Sequence, residues 1–405
     1  MGDTPDRSRI LTINSGSSSL KFALFEGGDL PTRVISGKIE RIGLPDARFL
    51  ISEAAGRPRQ GWSVVAPDAG AAGDLLVEWI GREFRMAAVA AVGHRVVHGG
   101  GRHDRPERVT DALVEDLRRA IPMDPDHLPG EIALIETFRR VAPNVPQFAC
   151  FDTTFHRDLP RVARIVPVPR RYEALGVRRY GFHGLSYEYL LAELARLAGP
   201  EAAAGRVILA HLGSGASLAA VEHGRCVETT MGFTPASGLV MGTRAGDIDP
   251  GLAGFLARAE GMTPDRFHVL VNRESGLLGV SETSSDLRDL LAIRGEDPRA
   301  AEAVELFCYR AKTAIGALAA ALGGLDTLVF SGGIGENGPE ARLRICEGLE
   351  FLGIALDASR NAANAAVISA DEARTTVRVL RTDEESIIAR AAAHFLATPL
   401  PETTA

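Results

Sequence analysis

Apolar and polar positions alternate along this chain with two different periods. Short apolar runs at residues 10–13 and 22–25 flank the polar stretch NSGSSSLK and predict a β-hairpin; residues 34–39 and 63–66 extend the same sheet. Residues 72–84 place apolar side chains at helical spacing, and residues 87–92 are apolar enough for a buried strand. That strand leads into GHRVVHGGG, which reads as a glycine-rich turn carrying basic residues. Helices over 110–120 and 130–141 follow, the first capped by Thr110 or Asp111, and a strand over 146–151 ends at Asp152.

The second half restarts the same order. A helix over 187–197 precedes a strand over 207–210 and its hairpin partner at 217–221. Helices near 250–259 and 264–272, an alanine-rich helix over 299–322, and a strand over 325–330 come next. A helix over 339–349, a strand over 377–380 and a closing helix over 384–396 complete the pattern. Hairpins followed by alternating helices and strands predict an α/β protein. The restart predicts two similarly folded lobes with a cleft between them: residues 1–155, completed by a helix from about 388–405, and residues 156–387.

The restart is visible residue by residue. ILTINSGSSSLK at 10–21 is answered by ILAHLGSGASLA at 208–219, and a third loop, SGGIGEN, follows the strand at 325–330. Glycine and serine let the backbone approach an anion, and their N–H and hydroxyl groups suit phosphate oxygens. Singly, each is an ordinary turn; repetition in register favours a nucleotide clamp. Arg342, a turn beyond SGGIGEN, adds a phosphate- or ribose-facing surface to this expectation. No G-x-x-x-x-G-K-[ST] segment is present, so the site is not a P-loop.

Composition narrows the class. A chain of 405 residues with 45% hydrophobic content predicts two domains, and a net charge of -7 argues against nucleic-acid binding. Cys150, Cys226, Cys308 and Cys346 are scattered, as buried thiols in a reducing compartment are. The polar start MGDTPDRSR lacks a signal-peptide core, and the longest apolar run, MAAVAAVG, is too short to span a bilayer. These features predict a cytoplasmic protein without a membrane partner.

Several side chains suit phosphoryl chemistry. Arg95 and Arg244 lie in glycine-flanked segments, where a guanidinium can grip a carboxylate or phosphate in two-pronged fashion. Asp152 in FDTTFH is placed to organise a divalent metal, and His183 in YGFHG to donate to a phosphoryl oxygen. The plainer alternatives are a turn or cap residue for Asp152 and a hydrogen-bonded core histidine for His183. Asp152, Glu384 and Asn14 are the candidate oxygen ligands for a metal; the histidines and cysteines lack zinc spacing.

Taken together, INSGSSSLKF, GHRVVHGG, FDTTFH, YGFHG, HLGSGAS, TMGFTP, MGTRAGDIDPG, SSDLRD, SGGIGEN and TDEE resemble, in order, the motifs of acetate kinase and related short-chain acyl kinases. The resemblance runs from Ile10 to about Arg390. It implies two duplicated RNase H-like lobes of the sugar kinase, actin and heat-shock-chaperone (ASKHA) superfamily. It further implies ATP or ADP with Mg²⁺ (Mn²⁺ the alternative) in the cleft, dimerisation through the C-terminal lobe to a homodimer, and reversible phosphorylation of acetate to acetyl phosphate.

Residue by residue, the resemblance puts Asn14, Asp152 and Glu384 at the metal, and Ser17, Ser19 and Lys21 on the first phosphate loop. His211, Gly213, Ser214 and Gly215 fall on the second loop. Arg95, His183 and Arg244 match the trio around the transferring phosphoryl and the acyl carboxylate, with Asp152 as the fourth catalytic residue. Asp286, Leu287 and Arg288, with Gly333, Ile334, Gly335 and Asn337, fall on the nucleotide pocket; Arg95, Val97, Phe182 and Pro235 match the acyl site. The chain departs from the family pattern at Met123, Leu185, Tyr187, Ser214 and Ser237, where histidine, threonine, histidine, asparagine and glutamate are usual. Met123 and Leu185 keep a propionate or other acyl kinase as an alternative, and a weakly active nucleotide-binding paralogue is a further one. A nucleotide-driven binding protein is the rival from another class, but about twenty residues after Glu385 leave no room for a peptide-binding domain. Loss of turnover well beyond loss of stability is the expectation for Arg95→Ala and Arg244→Ala.

Overall fold

The computed structural model describes residues 9–16, 19–28, 30–53 and 58–398. Ser17 therefore lies outside the described residues, as do most of the N-terminal stretch and the tail beyond 398. The chain divides into two compact units, Met1–Thr154 with Asp383–Ala405, and Phe155–Thr382.

Among the described residues, the first unit builds one eight-stranded sheet. Its strands are β1 (Arg9–Ser15), β2 (Ser19–Glu26), β3 (Thr32–Glu40), β4 (Arg48–Glu53), β5 (Pro58–Ser63), β6 (Val89–Val96), β7 (Glu107–Arg108) and β8 (Gln147–Phe151). They run in the order β5-β4-β3-β2-β1-β6-β8-β7. β1 is antiparallel to β2 and parallel to β6, which is parallel to β8. The second unit has a sheet of β9 (Val207–Leu212), β10 (Ala216–Glu222), β11 (Arg225–Thr229), β12 (Thr327–Ser331) and β13 (Thr376–Val379), in the order β11-β10-β9-β12-β13. Here β9 is antiparallel to β10 and parallel to β12, and β12 is parallel to β13. The pattern β3-β2-β1-β6-β8 thus recurs with the same strand senses, and the duplication read from the two loops is a duplication of topology.

Opposite faces of the first sheet are covered differently. The helix Ala69–Phe84 begins at Asp68, whose carboxylate accepts from the Ala71 N–H, and buries Leu76, Trp79 and Ile80. Trp79 meets Phe22 and Phe49 at ring separations of 5.5 and 5.6 Å. A second helix, Glu384–Ala397, sets Ala389, Ala392 and Ala393 among Ile10, Ala23, Phe25, Ala91 and Phe148. Its alanines bring the helix close to the sheet, and Gly93 completes the fit: a Cβ there would lie 2.4 Å from Ile388 Cγ2.

That packing corrects one expectation. GHRVVHGGG does not begin as a turn, because Gly93, His94 and Arg95 all belong to β6. The expected strand at 63–66 is also displaced. Strand β5 ends at Ser63, and β4, whose RFLISE buries Phe49 and Ile51 on alternate positions, is a strand the longer patterns obscured. SGGIGEN is a helix rather than a loop, since Gly332–Asn337 turns helical directly after β12. Gly332 adopts φ +75° where a Cβ would sit 2.7 Å from the Leu212 carbonyl oxygen.

Candidate active site

In the first unit, the ends of three neighbouring strands bring polar side chains together. Asn14 closes β1, Arg95 projects from β6, and Asp152 follows β8. Arg95 grips Asp152 through Nη2 to Oδ2 at 2.6 Å and through Nε at 3.1 Å from each carboxylate oxygen. Its Nη1 donates to Asn14 Oδ1 at 3.2 Å and to the Ser15 carbonyl at 3.3 Å. Asn14 Nδ2 in turn donates to Glu384 Oε2 at 2.7 Å and Glu385 Oε1 at 3.1 Å. Asp152 is fully buried at 0% exposure, and Glu384 lies 4.0 Å from Arg95 Nε. Burial opposes the charge on Arg95, but Asp152 and Glu384 more than offset it, holding the guanidinium firmly protonated.

This donor set suits a hard cation. Asp152 and Glu384 offer oxygens only and Asn14 offers Oδ1, and all three already converge on one positive group. Among the described residues no three His, Cys, Asp or Glu side chains gather at one point. Mg²⁺ is ordinarily held by one or two carboxylates together with waters and substrate phosphates.

A residue that the motifs did not single out lies beside this cluster. Glu131 is buried and accepts from the Val97 N–H at 3.2 and 3.1 Å through its two oxygens. Burial, reinforced by Asp124, holds its carboxyl well above the usual range, against the pull of Arg95. Its spacing with Leu128, Ile132 and Ile135 put it on the apolar face of its helix, and that was the available signal. Met123 ends a short turn before Asp124, and His127 is held by Asp124 through Nδ1 to Oδ1 at 2.8 Å. Ser19 opens β2, and Lys21 is an exposed β2 residue paired in register with Asn14.

In the second unit, His183 and His211 stack with ring centroids 4.4 Å apart and planes 20° from parallel. His183 sits at φ +60°, ψ +25° just before the helix Gly184–Ala198, a left-handed position that side chains rarely occupy outside special sites. Its Nδ1 meets Ser217 Oγ at 2.8 Å, while His211 Nδ1 meets Ser186 Oγ at 2.8 Å. The loop Gly213, Ser214 and Gly215 joins β9 to β10. A Cβ on Gly215 would stand 3.2 Å from Arg244 Nη2 and 3.3 Å from His183 Nε2. Both nitrogens therefore overhang one glycine. Arg244 Nη1 is anchored on the Pro235 carbonyl at 2.7 Å. Phe182 is buried, and its carbonyl oxygen meets His156 Nε2 at 3.0 Å.

A cavity of about 390 Å³ opens from the same loop, lined by Gly213, Ser214, Ser285, Asp286, Leu287, Arg288, Leu291, Gly333, Ile334, Asn337 and Gly338. Asp286 caps the helix Leu287–Ile293 and pairs with Arg288, which draws its carboxyl below the usual range. Gly335 stands apart from the lining, buried against Phe330. Arg342, expected to face phosphate or ribose, is likewise interior: it donates to the Gly335 and Asn361 carbonyls and to the Asn361 and Asn364 side chains. Burial brings its pKa down to about 10. It holds the helix after β12 in place from behind.

Comparison with known proteins gives consistent results. The family model described as the acetokinase family matches residues 9–390. An acetate kinase of Rhodopseudomonas palustris is 45% identical over 390 residues, covering 94% of this chain and 96% of that protein. A propionate kinase of Citrobacter rodentium is also 45% identical, over 94% of this chain and 95% of that protein. Among solved structures, an acetate kinase of Porphyromonas gingivalis superposes with a TM-score of 0.85 at 36% identity, over 96% of this chain and 100% of that one. A propionate kinase of Francisella tularensis superposes with a TM-score of 0.89 at 30% identity, over 96% and 99%.

Proposed function

The chain belongs to the acetokinase family, and on that premise we propose that it transfers the γ-phosphoryl group of ATP reversibly to acetate, forming acetyl phosphate and ADP. The enzyme is a phosphotransferase with a carboxyl group as acceptor. One observation supports this reading above others: two donors, His183 Nε2 and Arg244 Nη2, overhang a glycine of the loop from which a nucleoside-sized cavity opens.

In this reading, Asp286, Leu287, Arg288, Gly333, Ile334 and Asn337 hold the nucleoside, and the loops carrying Ser17, Ser19 and Lys21 and His211, Gly213 and Ser214 hold its phosphates. A carboxylate oxygen of acetate attacks the γ-phosphorus in line, and the bond to the departing ADP oxygen breaks as the new one forms, without a phosphoenzyme. Arg95 and Arg244 bind the carboxylate and the equatorial phosphoryl oxygens, and His183 donates from Nε2. Val97, Phe182 and Pro235 wall the acyl methyl. Asn14, Asp152 and Glu384 would hold Mg²⁺, with Mn²⁺ as the alternative. Its charge would offset that of the phosphates.

The enzyme is proposed to act as a cytoplasmic homodimer. Neither Gly251–Glu260 nor Pro264–Arg273 buries a residue within the single chain, and Phe255 is 58% exposed; a second copy would cover this face. The described cysteines are all free thiols, as a reducing compartment keeps them.

Propionate is the second reading for the acceptor, favoured by equal identity to acetate and propionate kinases. One methylene is discriminated by only about 1–3 kcal/mol in an apolar pocket. Trapping acyl phosphate with hydroxylamine, using ATP, Mg²⁺ and acetate, propionate or butyrate, tests both readings. The order of kcat/KM decides the acceptor. Folded protein that makes no acyl phosphate from any of the three overturns the proposal, and nucleotide binding without turnover would point to a weakly active paralogue.

A further inference from the structure

The Tyr187 hydroxyl, which the proposed phosphoryl transfer does not use, is not idle. Tyr187 Oη lies 2.5 Å from Ser217 Oγ, and Ser217 Oγ lies 2.8 Å from His183 Nδ1. Tyr187 and Ser217 are both completely buried. A neighbouring chain has the same form: Thr382 Oγ1 is 2.8 Å from Ser186 Oγ, which is 2.8 Å from Nδ1 of the stacked His211. Consecutive residues of one helix, Ser186 and Tyr187, thus serve two stacked imidazoles through their Nδ1 atoms.

We propose that Tyr187 is a positioning residue that fixes the tautomer of His183 through Ser217. A phenol is the more acidic hydroxyl and the better donor, so the order Tyr187 O–H to Ser217 Oγ, then Ser217 O–H to His183 Nδ1, is favoured. A serine hydroxyl has one proton, and spending it on Nδ1 makes that nitrogen the acceptor. The ring proton of the neutral imidazole then resides on Nε2. That atom and Arg244 Nη2 are the two that crowd the space above Gly215, so the relay presents two donors on one side of the loop. The stacking with His211 disfavours protonation of both rings at once, because two imidazolium rings at 4.4 Å repel each other.

The role in catalysis rests on the acyl kinase reading above; the tautomer does not. The test is long-range ¹H–¹⁵N spectroscopy of the full chain labelled at histidine, with the His183 signals assigned by their loss in His183→Gln. The unmodified chain should show Nδ1 unprotonated and Nε2 protonated. Tyr187→Phe keeps the ring and removes the hydroxyl, so His183 should shift toward a mixture of tautomers. Ser217→Ala cuts the relay from the other side and should give the same shift, and the double variant should be no worse than Ser217→Ala alone. In turnover, Tyr187→Phe should lower kcat about tenfold with KM values changed less than about threefold, the pattern of a lost transition-state donor. An unchanged His183 tautomer in both single variants, or additive effects in the double variant, overturns the proposal. A tautomer shift in a chain with no kinase activity would leave the relay standing and remove the acyl kinase reading.

Discussion

Arg95 and Asp152 form a buried ion pair, with Nη2 and Oδ2 2.6 Å apart and the carboxylate wholly out of solvent. The pairing adds a stability cost to the expectation that Arg95→Ala loses turnover well beyond stability. Removing one partner strands the other charge in the interior, at a cost of about 3–5 kcal/mol. Chemical denaturation should report that loss, and Arg95→Ala combined with Asp152→Asn should regain most of it while turnover stays low. Full stability in Arg95→Ala would show the pair to be energetically idle.

Arg244 has a different balance. It is half-buried and rests on a backbone carbonyl, that of Pro235. Arg244→Ala should lower kcat about 100- to 1,000-fold, as loss of a transition-state donor does, with a smaller stability loss than Arg95→Ala. Near-normal turnover would remove Arg244 from the mechanism.

Gly215→Ala is the sharpest steric test. The added methyl would meet Arg244 Nη2 at 3.2 Å and His183 Nε2 at 3.3 Å, both ends of side chains that the reaction is proposed to use. Turnover should fall about tenfold or more through displaced donors, while the circular dichroism spectrum and melting temperature stay near those of the parent. Unimpaired kinetics would place the reacting group elsewhere.

The metal proposal makes its own demand. Chelation of divalent cations should abolish acyl phosphate formation, and Asn14→Ala or Glu384→Gln should raise the Mg²⁺ concentration needed for half-maximal rate by about tenfold or more. A titration with ATP held saturating separates this from nucleotide affinity. An unchanged Mg²⁺ requirement in both variants would reassign the ligands.

Acid stability follows from two buried histidines. Burial pushes His94 down to about 4, against a hydrogen bond with Gln147, and pushes His156 down to about 4 as well. A lowered folded-state pKa gives stability that is complete above the unfolded value near 6.5 and is lost progressively as pH falls from there to the folded value near 4. The loss is about 3 kcal/mol for each residue by pH 4. Urea unfolding at pH 7, 5.5 and 4.5 should trace it; a flat profile across that range would contradict the burial argument.

Local pattern was legible where it was long or repeated. The hairpins, the 25-residue helix Pro298–Leu322 and the strand beside it all carry strong periodicity, and the loop repeat exposed the duplicated topology. What the sequence hid depends on partners far along the chain. Arg342 is adjacent to a phosphate-like glycine motif, yet besides the Gly335 carbonyl its acceptors come from Asn361 and Asn364, which no spacing rule connects to it. Tyr187 stands out in the sequence only as a departure from the family pattern, and the partner of its hydroxyl, Ser217, lies 30 positions on. Gly93 resembles a turn glycine, but its reason is Ile388 of the helix Glu384–Ala397.

That helix also orders events in time. Asn14 and Glu384 are 370 positions apart, yet they share a hydrogen bond at the proposed metal site. A ribosome makes the first sheet early, but every residue of the second unit must be translated before Glu384 exists. A product stopped anywhere in the second unit lacks both the alanine face that covers the sheet and the carboxylate beside Asn14. Incomplete chains are thus left with an uncovered apolar surface for proteases and chaperones to find, and without one carboxylate of the proposed metal site.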